Sequence, residues 1–205
     1  MSEVDRARIE SAVTELLAAI GEDPTRPGLE NTPARFADAY GEFFAGVNED
    51  PLTPLQDAVP YGDHDPETVL LRDIAFRSVC EHHLLPFAGV AHVAYLPGEK
   101  IVGLGRLPRV IDTLAARPQV QERLTEEIAD ALVAGLAPRG VLVVLDASHT
   151  CVTMRGPRQT GSSTVTIASR GALTDPGARA ELIALIGAGV RSGNGADAGA
   201  ADGGA

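Results

Sequence analysis

The residues of this chain best suited to chemistry fall in two short runs. Ser78 to Pro86 reads SVCEHHLLP, and Ser148 to Gly156 reads SHTCVTMRG. Together they hold both cysteines of the chain and three of its five histidines. Cys80 and His83 have the C-x-x-H spacing that lets two side chains reach one ion from a turn. His149 and Cys151 stand two apart, so on a strand they would point to the same face. Thiolate and imidazole together favour zinc over magnesium or calcium, with iron or another first-row metal also compatible. Three of the four side chains suffice, because a three-ligand zinc leaves a place for water, whose pKa it can lower to about 7. Adjacent histidines rarely share an ion, so His82 and His83 are expected to have different tasks. The competing reading makes Cys80 and Cys151 isolated small core residues.

Between the two runs lies IVGLGRLPRVIDTLAARPQVQERLT. Arg106 and Arg109 flank the start of a predicted helix, whose free N–H groups and positive dipole end suit an anion. Arg155 follows Cys151 by four residues. Each arginine alone reads as solvated surface charge. Three beside a candidate metal site in an acidic protein point to a phosphate pocket.

These groups need a scaffold, and composition bounds it. The chain has 205 residues and a formal net charge of -11, with 44% hydrophobic and 22% charged residues. That suits one globular domain with a small helical appendage. The acidic balance argues against a nucleic-acid or anionic-membrane surface. With no tryptophan and 4% aromatics, the core must rest on Leu, Val, Ile and Ala. No segment approaches a membrane span, and MSEVDRARIE lacks a signal-peptide apolar core. A cytoplasmic location is expected, where free thiols and metal thiolates prevail over disulfides.

Ile9, Val13, Leu16, Leu17 and Ile20 recur at helical spacing, and Gly21 follows as a stop. In GLENTPARFADAYGEFFAG, Thr32 is placed to cap a second helix with Pro33 at its first position. Phe36, Tyr40, Phe43 and Phe44 then share a face. Residues 48–66 read as a long loop. TVLLRDIAFRSV and GVAHVAYL predict strands, the second ending at a Pro97-Gly98 turn. Pro108 and Pro118 each look like a first helical position, and Val120, Leu124, Ile128, Ala131 and Leu132 form an apolar stripe. GVLVVLDAS is a continuous apolar run expected of a buried strand, and STVTIAS alternates, implying a hairpin through Cys151. A last helix starts near Asp175-Pro176 and runs to about Gly187. The tail from Arg191 has almost nothing to bury and is expected to be disordered. The order of elements gives an α+β fold with a mainly antiparallel sheet. The expected division is a helical segment and loop over 1–66, a catalytic domain over 67–190 and a tail over 191–205.

The chain resembles the GTP cyclohydrolase I family. The resemblance rests on CEHHLLPFAGVAHVAYLP, RPQVQERLT and the H-x-C-x-x-x-R-G run of SHTCVTMRG, which occur in the family's order, with N-T-P-A-R before Phe36 similar to its T-P-x-R motif. It spans roughly Gly28 to Ile186. It implies a tunnelling fold: a four-stranded antiparallel sheet with two helices on one face, preceded by a helical segment. Cys80, His83 and Cys151 would be zinc ligands, His82 and His149 the acid–base histidines, and Glu122 with Gln121 the groups that hold the guanine edge. A carboxylate can accept from a purine's N–H donors, whereas Glu126 and Glu127 on the same helix read as solvated. Arg106, Arg109 and Arg155 would bind the triphosphate, with Arg35 reaching in from a neighbouring subunit. Glu81 would support the site. The family joins its sheets into rings stacked as a decamer, with active sites between subunits. Closure of that kind removes unpaired sheet edges.

The implied reaction is hydrolytic opening of the imidazole ring of GTP. Water attacks C8, histidines move protons to and from the ring nitrogens, and formate leaves. The ribose then opens, rearranges and recloses to give 7,8-dihydroneopterin triphosphate, the first step of pterin and folate biosynthesis. One departure stands out. Where the family usually reads G-L-S-K, this chain has Gly103-Leu104-Gly105-Arg106, so a serine hydroxyl is missing while the positive charge is kept. Three alternatives follow: a specialised paralogue acting on GTP with an altered product or phosphate requirement, a nitrile reductase, and a non-catalytic zinc-stabilised subunit. The pairing of Cys80 with His83 points away from the reductase, which needs a metal-free thiol. Retention of His82, His149 and Glu122 points away from the non-catalytic subunit.

Overall fold

The computed structural model describes residues 4–62 and 65–190. The expected disordered tail lies outside them. Helices α1 (Arg6–Ala19) and α2 (Thr32–Phe43) pack against each other, with Arg6 paired to Asp38. Along α2, Tyr40 stacks on Phe36 at 4.0 Å and meets Phe43 and Phe44 edge-on. Asn31, not Thr32, is the residue that flanks this helix. Of the apolar stripe on α1 only Val13 is buried, and Leu16 and Ile20 stay exposed. Residues 48–66 are less irregular than expected. They hold a short 3-10 turn (Thr53–Leu55) and a strand β1 (Val59–Pro60) that pairs with β4 (Lys100–Ile101).

The main sheet is built from β2 (Val69–Cys80), β3 (Pro86–Leu96), β6 (Gly140–His149) and β7 (Thr164–Gly171), all antiparallel in the order β2-β3-β6-β7. These are the four strands that the tunnelling fold leads one to expect. A fifth strand, β5 (Pro118–Gln119), adds in parallel beside Val79 and Cys80. Pro118 therefore opens a strand rather than a helix, and α4 (Gln121–Leu136) starts three residues later. Helix α3 (Arg106–Ala115) begins before Pro108. Proline is tolerated there because N–H groups in a first helical turn have no intrahelical partner.

Helices α3 and α4 cover one sheet face. Leu107, Val110, Ile111 and Leu114 of α3 and Leu124, Ile128 and Leu132 of α4 pack on Phe76, Phe87, Ala91, Val93, Val143 and Leu145. Helix α6 (Pro176–Val190) lies on the opposite face, where Leu182 joins Ala94, Leu142, Val144 and Leu173. Strand β6 is thus buried on both sides, which explains its unbroken apolar run. No helix among the described residues is long and apolar enough to cross a membrane.

Candidate metal centre and substrate pocket

Strand β2 delivers Cys80 to one end of the sheet, and the following turn is tightly fixed. The Cys80 N–H donates to the Leu85 carbonyl at 2.9 Å, and the Leu84 N–H donates back to the Cys80 carbonyl at 2.8 Å. Leu84 takes a left-handed conformation, φ 53°, which costs a non-glycine residue about 1–2 kcal/mol. The turn is held from outside by the Tyr40 hydroxyl, which donates to Leu84 O at 3.3 Å. It is also held by the Glu81 N–H, which donates to Gln119 O at 3.0 Å. The Glu81 carboxylate accepts from Arg123 at 2.5 Å, and that hydrogen bond holds its pKa below the ordinary value.

The second half of the centre comes from β6. Antiparallel register sets His149 opposite Phe87, and the two rings stack at 4.5 Å and 7°. The strand then gives way to one helical turn, α5 (Thr150–Thr153). Cys151 therefore sits on that turn and not on a strand face shared with His149. The Cys80 and Cys151 sulfurs and a His83 ring nitrogen lie within 4.8 Å of one another. His149 is outside this group and has other partners. Two thiolates and an imidazole so gathered suit a tetrahedral zinc with one position left open. Burial, followed by the neighbouring Cys80, pushes the Cys151 thiol pKa up, an effect that a bound cation reverses.

Around the three donors is a pocket of ≈ 220 Å³ lined also by His82, Val120, Gln121, Glu122, His149 and Thr164. Glu122 stands in the first turn of α4, where the helix dipole favours a carboxylate, and it is exposed at the pocket's mouth. His82 is likewise exposed. Burial lowers the His149 pKa, with Glu122 opposing that shift. Gln121 is turned inward and buried. Its amide nitrogen donates to Leu145 O at 3.2 Å and to Thr164 O at 2.8 Å. Glu126 and Glu127, expected to be merely solvated, have partners: Arg170 for the first and Gln119 for the second.

The arginines expected at the phosphates are not gathered here within one chain. Arg106 and Arg109 line a separate pocket with Gly103, Leu104 and Gly105. Helix α3 explains the separation. Its last carbonyl, Ala115 O, accepts from Ser78 near the metal end at 2.7 Å, and nine residues of rise carry Arg106 about 14 Å along the helix from there. Arg106 is paired with Asp57, an acid that no motif or spacing marks out. Arg35 on α2 lines another pocket, with Asp38 and Arg77. Arg155 is exposed just after α5 and acts electrostatically on Cys151. Sequence reading also passed over Arg123, although its i,i+4 relations to Gln119 and Glu127 were visible, and over Phe87, whose role depends on strand register.

Residues 9–187 match the model of the family described as GTP cyclohydrolase I. GTP cyclohydrolase 1 of Leifsonia xyli is 68% identical over 190 residues, 93% of this chain and 100% of that protein. The Bacillus subtilis GTP cyclohydrolase 1 is 52% identical over 188 residues, 91% of this chain and 98% of that protein. Among solved structures, an archaeosine synthase QueF-Like in the apo form aligns with TM-score 0.39 and 15% identity, covering 54% of this chain and 97% of that one.

Proposed function

The chain belongs to the GTP cyclohydrolase I family, and from that premise we propose that it converts GTP to formate and 7,8-dihydroneopterin triphosphate in a zinc-dependent reaction. The observation that carries the proposal is the convergence of Cys80, His83 and Cys151 beside His149, His82 and Glu122 in one pocket. Cys80, His83 and Cys151 would hold the zinc, which when bound supplies Lewis acidity toward water. Glu122 accepts from the guanine N–H donors and so orients C8 toward the metal. His149 and His82 exchange protons with the ring nitrogens as the C8–N bonds break. Arg106, Arg109, Arg155 and Arg35 bind the triphosphate, with Gly105 offering its backbone N–H beside them.

We further propose a homo-oligomer, a decamer by family resemblance, in which the arginines of one subunit complete the metal centre of another. Two observations support this. Arg106 and Arg109 line a pocket apart from the metal cluster of their own chain. Strand β7 is an open edge that leaves Val165 and Ile167 exposed, a surface that pairing with a second copy would cover. Thiolate ligands also suit a reducing cytoplasmic location.

The test compares formate release from GTP and from ATP by metal-analysed protein. One zinc per subunit, release from GTP alone, and loss of both metal and activity in Cys151→Ala are expected. Protein without transition metal, or activity retained in that variant, would overturn the assignment. For the shared site, co-assembly of inactive Cys151→Ala with inactive Arg109→Ala subunits should restore part of the activity. No restoration in verified mixed oligomers would place both groups in one chain.

A further inference from the structure

His149 enters the pocket with one ring nitrogen already committed. Its Nε2 lies 2.7 Å from Gln121 Oε1. Either ring nitrogen of a neutral histidine can carry the proton, so the partner decides which one does. Here the partner cannot be turned around. The Gln121 amide nitrogen faces three oxygens: Leu145 O at 3.2 Å, Thr164 O at 2.8 Å and Thr166 Oγ1 at 3.1 Å. Two of these are carbonyls, which only accept. A flipped amide would set its own oxygen against both, so the NH2 end must face the strands and the oxygen must face the histidine.

The neighbouring hydroxyls fit the same assignment. Thr125 Oγ1 donates to Gln121 O at 2.7 Å. Its single proton is then used, so in the 2.6 Å contact between Thr125 and Thr166 the Thr166 hydroxyl is the donor. Thr166 Oγ1 keeps a lone pair for the Gln121 N–H. The two Gln121 N–H protons are shared among these three acceptors, and no contact in the chain Gln121–Thr166–Thr125 calls for the flipped amide. Because an amide oxygen only accepts, His149 Nε2 must carry its proton. The stacked Phe87 ring fixes the plane of the imidazole.

We propose that Gln121 is a positioning residue that holds His149 as the Nε2–H tautomer, leaving Nδ1 as the nitrogen that exchanges protons with substrate. This rests on the cyclohydrolase reading and changes one part of it. The Gln121 amide, 1% exposed and bonded at both ends, is spent inside the protein, and the guanine edge is left to Glu122. A neutral His149 can accept at Nδ1 but cannot donate there, so it takes a proton before it gives one.

Neutron diffraction from deuterium-exchanged crystals of the zinc-loaded parent, above the histidine titration range, reads the tautomer without substrate. A deuteron on Nε2 with Nδ1 bare is expected, and a deuteron on Nδ1 overturns the proposal. Kinetics of Gln121→Met, which is close in volume and lacks the acceptor, reads the role. Formate release should fall about 10- to 100-fold in kcat, the scale of lost acid–base assistance, with KM for GTP little changed. A raised KM at unchanged kcat would mean that the amide contacts guanine, and would overturn the proposal. If the variant does not fold, with Leu145 O and Thr164 O stripped of a donor, the neutron map of the parent still decides. A parent that releases no formate would refute the reaction and leave the tautomer to be judged on its own.

Discussion

Replacing Arg123 by Met separates two contributions that meet at one guanidinium. Arg123 pairs with Glu81, the residue after Cys80, at 2.5 Å, and its Nε donates to Gln119 Oε1 at 3.0 Å. The charge pair is partly exposed, 43% for Arg123 and 35% for Glu81, and such pairs add little stability. Gln119 differs in being 2% exposed. Its amide nitrogen is spent on Leu114 O at 3.2 Å and Glu127 at 2.8 Å. Removing Arg123 therefore leaves a buried oxygen without its donor, a loss of about 1–3 kcal/mol. For a domain of this size that lowers Tm by roughly 2–12 °C. Thermal unfolding of zinc-loaded parent and Arg123→Met at low and high salt measures it. Because the buried oxygen dominates, the difference should persist in high salt, where exposed charge pairs are screened. Gln119→Leu combined with Arg123→Met should cost less than the two single changes added. A difference that vanishes in high salt, or additivity within about 0.5 kcal/mol, would refute the reasoning.

Three further outcomes are expected. Glu122→Gln replaces one acceptor oxygen by a donor and should weaken GTP binding by about 1–3 kcal/mol, read as KM or by calorimetry; unchanged affinity would remove Glu122 from the guanine edge. Gly105→Ser meets no atom within 4 Å of the new Cβ and should raise pterin formation more than formate release, whereas equal rates in the parent, untouched by the change, would make the departure neutral. His92 is buried on β3 and accepts the Asp73 N–H at 3.2 Å; burial lowers its pKa, Arg72 adds to this, and Asp73 and Asp146 oppose it. The unfolded chain then binds the proton more readily, so stability should fall as pH drops below about 6.5. Denaturation across that window should show a flatter pH dependence for His92→Asn, and an identical slope would contradict the linkage.

The sequence carried the metal donors because they are local. C-x-x-H and H-x-C are spacings of two and three residues, and no long-range information is needed to propose them. Which of four candidates stay together was a different matter. It turns on α5, a single helical turn of four residues, far below the length at which helical periodicity can be detected. The inward turn of Gln121 was illegible for a similar reason, since its partners Leu145, Thr164 and Thr166 lie 24 to 45 residues away on β6 and β7. Pro118 gave a helix-start signal that tertiary pairing with Val79 overrode. Helix α6 could be found but not placed, because its apolar residues surround it and mark no single face. The four strands, by contrast, are readable, β3 and β7 from alternation and β6 from its unbroken apolar run, and register alone has to be supplied by the fold.

The most direct measurement is the ratio of formate to 7,8-dihydroneopterin triphosphate produced from GTP by metal-analysed protein, followed through a single turnover. We expect both products from zinc-loaded protein, with formate appearing first and the pterin approaching it in amount. Neither product from protein carrying one zinc per subunit would contradict the cyclohydrolase reading, and formate with no pterin at any time would contradict the second half of the reaction.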